Sequence, residues 1–206
     1  MQRRNTRSVS VGNVRIGGDA PISVQSMTNT DTRDSDATIA QILELERAGC
    51  EIVRVSVFDE ACVHAIPAIH KAIHIPLVAD IHFDHRLAIG AIENGVDKLR
   101  LNPGNIGSQA RVEKVVDCAN HHHTPIRIGV NAGSLEPDLR RQYGPDSPVA
   151  MVESALRHVR ILEKAHFYNM VISLKSSTVS TTVEAYRRMA SLVDYPLHIG
   201  ITETGT

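Results

Sequence analysis

The stretch LRLNPGNIGS, Leu99 to Ser108, opens like a buried strand, yet it holds an arginine between two leucines and breaks at once into Asn-Pro-Gly-Asn. Side chains alternate along a strand, so Leu99 and Leu101 point one way and Arg100 and Asn102 the other. Such a strand needs an apolar layer on one side and a polar space on the other. The Pro103-Gly104 turn then takes the chain off the rim, leaving Asn102 and Asn105 as uncharged donors.

Working outward, short runs rich in Val and Ile recur at 21–27 (PISVQSM), 51–57 (EIVRVSV), 76–83 (PLVADIHF), 97–102 (DKLRLN), 125–131 (PIRIGVN), 169–175 (NMVISLK) and 196–202 (PLHIGIT). Between them lie segments with helical periodicity: Asp36–Gly49, Glu60–Ile73, His85–Asn94, Ala110–Asn120, Val149–Ala165 and Thr182–Leu192. Strands alternating with helices at this spacing imply parallel strands joined by crossovers. A doubly wound sheet would carry a GxGxxG turn after an early strand, and none is present. The chain therefore reads as an α/β protein of the TIM-type (β/α)8 barrel class, with seven strands present and the eighth missing. A complete barrel needs ~250 residues. The basic start, MQRRNTRSVSVGNV, lacks an apolar signal core and reads as a small N-terminal hairpin with a Gly-Asn turn.

Composition excludes several classes. At 206 residues and 42% hydrophobic the chain can bury a sizeable core as one domain, 1–206. A formal charge of -1 offers no global field for nucleic acid or an anionic membrane, so an anion site must be a local gathering of Arg and Lys. No apolar run approaches the ~20 residues of a membrane span. Three scattered cysteines, Cys50, Cys62 and Cys118, suit a reducing compartment, hence a cytoplasmic protein, and read as small buried apolar residues.

In a barrel, active sites gather where strands end, so polar residues near those ends should repeat with period two. They do: Arg54 and Ser56, Asp80 and His82, Arg100 and Asn102, Arg127, Gly129 and Asn131, Lys175 and Ser176, then Thr202 and Glu203. One such arginine could be barrel filling. Arg54, Arg100, Arg127 and Lys175 from four strands, against the carboxylates Asp80 and Glu203, make a positive cup suited to a phosphate or diphosphate.

The strings VQSMTNTDTRD, VRVSV, ADIHF, KLRLNPGNIG, IRIGVNAGSLE, VISLKSS and GITETG, in this order along essentially the whole chain, resemble the 4-hydroxy-3-methylbut-2-enyl diphosphate synthase family of the non-mevalonate isoprenoid pathway. The resemblance implies an oxidoreductase that opens 2-C-methyl-D-erythritol 2,4-cyclodiphosphate, with loss of water and a two-electron reduction supplied by ferredoxin or flavodoxin. It implies Arg54, Arg100, Arg127 and Lys175 on the diphosphate, supported by Asn102 and Asn131, with Asp80, His82, Thr202 and Glu203 beside the carbon skeleton. Glu203 is then the residue expected to handle protons, with His82 as runner-up. The family also carries a C-terminal 4Fe-4S domain, absent from this chain, and forms a homodimer in which one subunit's cluster covers the other's barrel. The sequence departs from that pattern in having no CxxC. No cluster is expected on these 206 residues, which would bind substrate without turning it over.

Other features have plainer readings. His121, His122 and His123 point in different directions from a helix end and are expected in solvent. In DIHFDH only Asp80 and His82 share a strand face, so no metal site is expected there. The stretch from Gly133 to Pro148 reads as a surface loop or as a flap bearing Arg140 and Arg141. Two other functions fit the cup: Lys175 as a Schiff-base lysine, and a barrel that binds a phosphate ligand without catalysis.

Overall fold

The computed structural model describes residues 4–200. Strands β1 (Ser8–Val11) and β2 (Val14–Gly17) form an antiparallel hairpin. Six further strands lie parallel in chain order: β3 (Gln25–Met27), β4 (Ile52–Ser56), β5 (Leu77–Asp80), β6 (Lys98–Arg100), β7 (Ile126–Asn131) and β8 (Met170–Lys175). Helices α1 (Ser35–Arg47), α2 (Glu60–Ala72), α3 (His85–Glu93) and α4 (Gln109–His121) make the successive crossovers. A short α5 (Pro137–Tyr143) and α6 (Pro148–Lys164) join β7 to β8, and α7 (Val179–Leu192) follows β8. Several crossover helices begin on a side-chain cap that satisfies an end N–H: Asp34 on α1, Asp59 on α2, Asp84 on α3 and Ser147 on α6.

Alternation sorts the strand side chains into two cores. Val53, Val55, Leu77, Ala79, Leu99, Ile126, Ile128, Ile172 and Leu174 join the helices in the large cluster, and Leu101 follows them. Ile52, Val78 and Val171 point the other way and pack with Val9 and Val11 of the hairpin. The hairpin thus plugs the amino end of the curled sheet. Gly12 sits at φ +53° in its turn, and a Cβ there would meet Asp97 Oδ1 at 2.9 Å and Pro76 Cγ at 3.0 Å. Arg7 clasps this end to the far side of the chain, donating to both oxygens of Asp194 at 2.9 Å and stacking 4.7 Å from the Tyr195 ring.

Three expectations need correction. The strand expected at 196–202 is, among the described residues, a single parallel bridge between Ile172 and Leu197. Above it Tyr186 of α7 replaces the ladder: its hydroxyl accepts from the Leu174 N–H at 3.0 Å and donates to the His198 carbonyl. The strand expected at 76–83 stops at Asp80, because Asp84 turns the chain into α3. The segment 133–148 is no open loop: Leu139, fully buried, anchors α5, and Arg157 of α6 holds Asp138 at 2.7 Å. Among the described residues the sheet is a curl with β3 at one edge and Pro196–His198 at the other. A cavity of about 330 Å³ lined by Ile22, Gln25, Leu197 and His198 lies between them.

If the hairpin plugs the barrel, Val11→Ala should cost about 1–3 kcal/mol in urea unfolding. The same change at exposed Val24 should stay within about 0.5 kcal/mol.

Candidate active site

Asp80 ends β5 with both oxygens committed. Oδ1 accepts from Arg100 Nη1 at 3.1 Å, and Oδ2 lies 3.7 Å from Arg54 Nε. Register places these groups side by side, since Asp80 pairs with Arg100 and Arg100 with Arg127 across adjacent strands. Arg100 also donates through Nη2 to the Gly129 carbonyl at 2.8 Å. Asn102 bonds Gly129 twice, taking its N–H and donating to its C=O, each at 2.9 Å. A Cβ on Gly129 would lie 2.6 Å from Arg100 Nε, so glycine is what lets the guanidinium lie against β7.

Arg127 is 1% exposed and donates through Nη1 to Ser173 Oγ at 2.6 Å, while its Nε and Nη2 have no partner. Burial, then Arg54 and Arg100, push it down to about 9, which leaves it charged at neutral pH. Arg54 is lowered too, by burial first, and lies against the Met27 sulfur. Lys175 is brought to about 8 by burial and by Arg54, Arg127 and Arg100. It stands in register with Asn131, and the two line a cavity of about 570 Å³ with Gly133, Ser134 and Asp146. Three unpartnered guanidinium N–H groups, two on Arg127 and one on Arg100, face this crowd of cations. Such donors favour an anion that accepts several hydrogen bonds at once.

Arg54, Asp80, Arg100, Asn102, Arg127, Asn131 and Lys175 are thus brought to one end of the curl. His82 lies past the end of β5, exposed on the rim, with Nδ1 3.5 Å from Arg100 Nη1, the nitrogen that also bonds Asp80. Ser176 donates to Asp146 Oδ1 at 2.7 Å beside Lys175, tying the segment after α5 to the start of α7. Thr202 and Glu203 lie outside the described residues. Gly104 packs against His158 of α6, its N–H donating to Nδ1 at 3.1 Å, and burial keeps that imidazole neutral. Lys98, Gln25, Ser173 and His198 belong to the same lumen and escaped the sequence reading, although Lys98 stands two residues before Arg100 on the same face. His121, His122 and His123 are exposed.

The cysteines do not suit an iron–sulfur cluster. Cys50, buried between α1 and β4, bonds the Ile52 carbonyl through Sγ, Cys62 is buried on α2, and Cys118 lies on α4. Among the described residues no three His, Cys, Asp or Glu side chains gather as metal ligands, and no helix is long and apolar enough to cross a membrane.

Gly129→Ala should push Arg100 off Asp80 and cost about 1–3 kcal/mol in chemical unfolding. Gly133→Ala, with nothing within 4 Å of the added Cβ, should change stability by less than about 0.5 kcal/mol.

The same fold occurs in distant enzymes. Dihydropteroate synthase from Stenotrophomonas maltophilia superposes with a TM-score of 0.69 at 18% identity, over 92% of this chain and 75% of that one. 3-Dehydroquinate dehydratase from Geobacillus kaustophilus gives 0.69 at 11% identity, over 95% and 79%. Sequence relatives are much nearer. The 4-hydroxy-3-methylbut-2-en-1-yl diphosphate synthase (flavodoxin) of Nitratidesulfovibrio vulgaris is 59% identical over the whole chain, which spans 53% of that protein. The protein of the same name from Caldanaerobacter subterraneus is 59% identical over 99% of this chain and 58% of its own length. The chain thus spans little more than half of these relatives. Residues 6–206 match the GcpE TIM-barrel domain, and the chain belongs to that family.

Proposed function

We propose that this barrel is the substrate-binding part of a 4-hydroxy-3-methylbut-2-en-1-yl diphosphate synthase, and that its cup holds the diphosphate of 2-C-methyl-D-erythritol 2,4-cyclodiphosphate. The observation that carries this reading is the set of four cations, Arg54, Arg100, Arg127 and Lys175, converging from four strands around Asp80, the one carboxylate among the described residues that pairs with them. The identity to synthases along the whole chain supports the same substrate.

Each residue then has a defined task. Arg100 and Arg127 offer their free N–H groups to phosphate oxygens, and Lys175 adds a point charge from β8. Asn102 and Asn131 give uncharged donors at the rim. Asp80 holds Arg54 and Arg100 in place and leaves the cup net positive. His82, in solvent on the rim, and Glu203 are the groups assigned to proton handling as the C–O bonds break. Electrons would come from flavodoxin, as the relatives' names indicate, through an iron–sulfur cluster held by residues other than those described. The synthase would work as a cytoplasmic homodimer.

Lys175 favours one second reading. Its lowered proton affinity would suit an amine that adds to a carbonyl, so borohydride with a keto-phosphate should trap an adduct if it forms Schiff bases. On the diphosphate reading no adduct forms.

The direct test titrates the cyclic diphosphate into the intact gene product. Arg100→Met and Arg127→Met should each weaken binding by about tenfold to a hundredfold, the loss of a charged hydrogen bond, with Arg140→Ala unchanged. Equal affinity in all four proteins would refute the reading.

A further inference from the structure

Below the cup lies an amine with no task in that scheme. Lys98 of β6 shares a face with Arg100 and Asn102 but sits one step deeper, in register with Val78. It is 0% exposed, and its Nζ has one hydrogen bond, to Gln25 Oε1 of β3 at 3.1 Å. No carboxylate lies within ion-pair reach of it among the described residues. Every charged group around it is a cation or is spent. Arg54 of β4 and Arg127 of β7 act on it directly. Arg100 on its own strand and Arg54 share the two oxygens of Asp80 from β5. From the far side, Lys175 of β8 faces the same space, and so does His198, which burial and these cations hold neutral. The apolar cluster at the amino end of the sheet, Ile52, Val78, Val171, Val9 and Val11, offers no counter-charge.

A buried ammonium in that setting has nothing to balance it until an anion arrives. Burial, then Arg127 and Arg54, bring Lys98 down to about 7. We propose that Lys98 sheds its proton readily in the empty barrel, standing as a neutral amine in mildly alkaline solution, and takes the proton up again when a diphosphate fills the cup above it, so that binding draws a proton into the barrel floor. The inference rests on the diphosphate reading and adds the residue that matches the cup's charge to its load. A neutral floor lets Arg54, Arg100 and Arg127 stand together without ligand. A charged floor adds a fifth cation when the dense anion needs it.

The linkage has a definite sign. Binding raises the proton affinity of Lys98, so uptake is small where it is already protonated, below pH 7, and grows above it. Affinity should therefore fall as pH rises from 7 to 9, by up to tenfold per pH unit.

The test titrates an alkyl diphosphate calorimetrically into the intact gene product at pH 8, in buffers of different ionisation enthalpy. The terminal phosphate of such a ligand titrates near 6 and releases no proton there. Lys175→Arg serves as background, because Lys175 would take up protons of its own. About 0.9 of a proton should enter per ligand bound, and Lys98→Met in that background should abolish both the uptake and the fall in affinity above pH 7. Carbon-13 spectra of labelled lysine Cε groups read the same event without mutating Lys98, as a resonance that titrates near 7 and moves upward with ligand. Binding with equal uptake in both proteins, or a Lys98 resonance that ligand does not shift, would overturn the proposal and leave the diphosphate reading standing. Absence of binding by the unsubstituted protein would overturn both.

Discussion

The whole cup depends on one carboxylate. Asp80 accepts from Arg100 and faces Arg54, and among the described residues no other acid pairs with a lumen cation. Burying three guanidinium groups costs heavily, and one anion cannot offset it. The remaining cost is met by neutral acceptors in fixed places: the Gly129 carbonyl for Arg100, Ser173 for Arg127, and Gln25 for Lys98. These acceptors satisfy part of the donor set and leave three guanidinium N–H groups open. A site with an unmet demand for acceptors is organised for an anion before that anion binds, which lowers the ordering cost of binding.

The scaffold supports this arrangement by keeping its two faces separate. The outward face of the strands is apolar and feeds the large core with the helices, which holds the sheet in its curl. The inward face is apolar only at the amino end, where the hairpin closes it with Val9 and Val11. Polarity then rises along the lumen from Val78 and Lys98 to Asp80 and Arg100 to Asn102. The rigid parts of the strands carry the cations, and the loops carry what tunes the rim. Gly104 against His158, and Ser176 against Asp146, tie two of those loops to helices.

Most of the lumen was legible in the sequence because a period of two survives inside each strand. Leu99 and Leu101 pointed outward and Arg100 inward, as alternation requires. The reading weakens where alternation no longer applies. His82 lies past the end of β5, where the chain is already turning toward the Asp84 cap, and it approaches Arg100 from the exposed rim and not from within the strand. The segment at 196–198 pairs at one point because a tyrosine from α7 takes over its ladder, and such a contact between distant elements leaves no local pattern. Lys98 leaves a weaker signal for a different reason: it lies below the strand ends where a barrel's polar site gathers, and only its burial shows it without a counter-ion.

The most direct measurement of the central claim is a crystal structure of the intact gene product with an alkyl diphosphate bound. The account predicts phosphate oxygens within hydrogen-bond distance of Arg100, Arg127 and Lys175, with Asp80 still holding Arg54 and Arg100. Density for the diphosphate elsewhere on the molecule, with the three lumen cations unengaged, would contradict it.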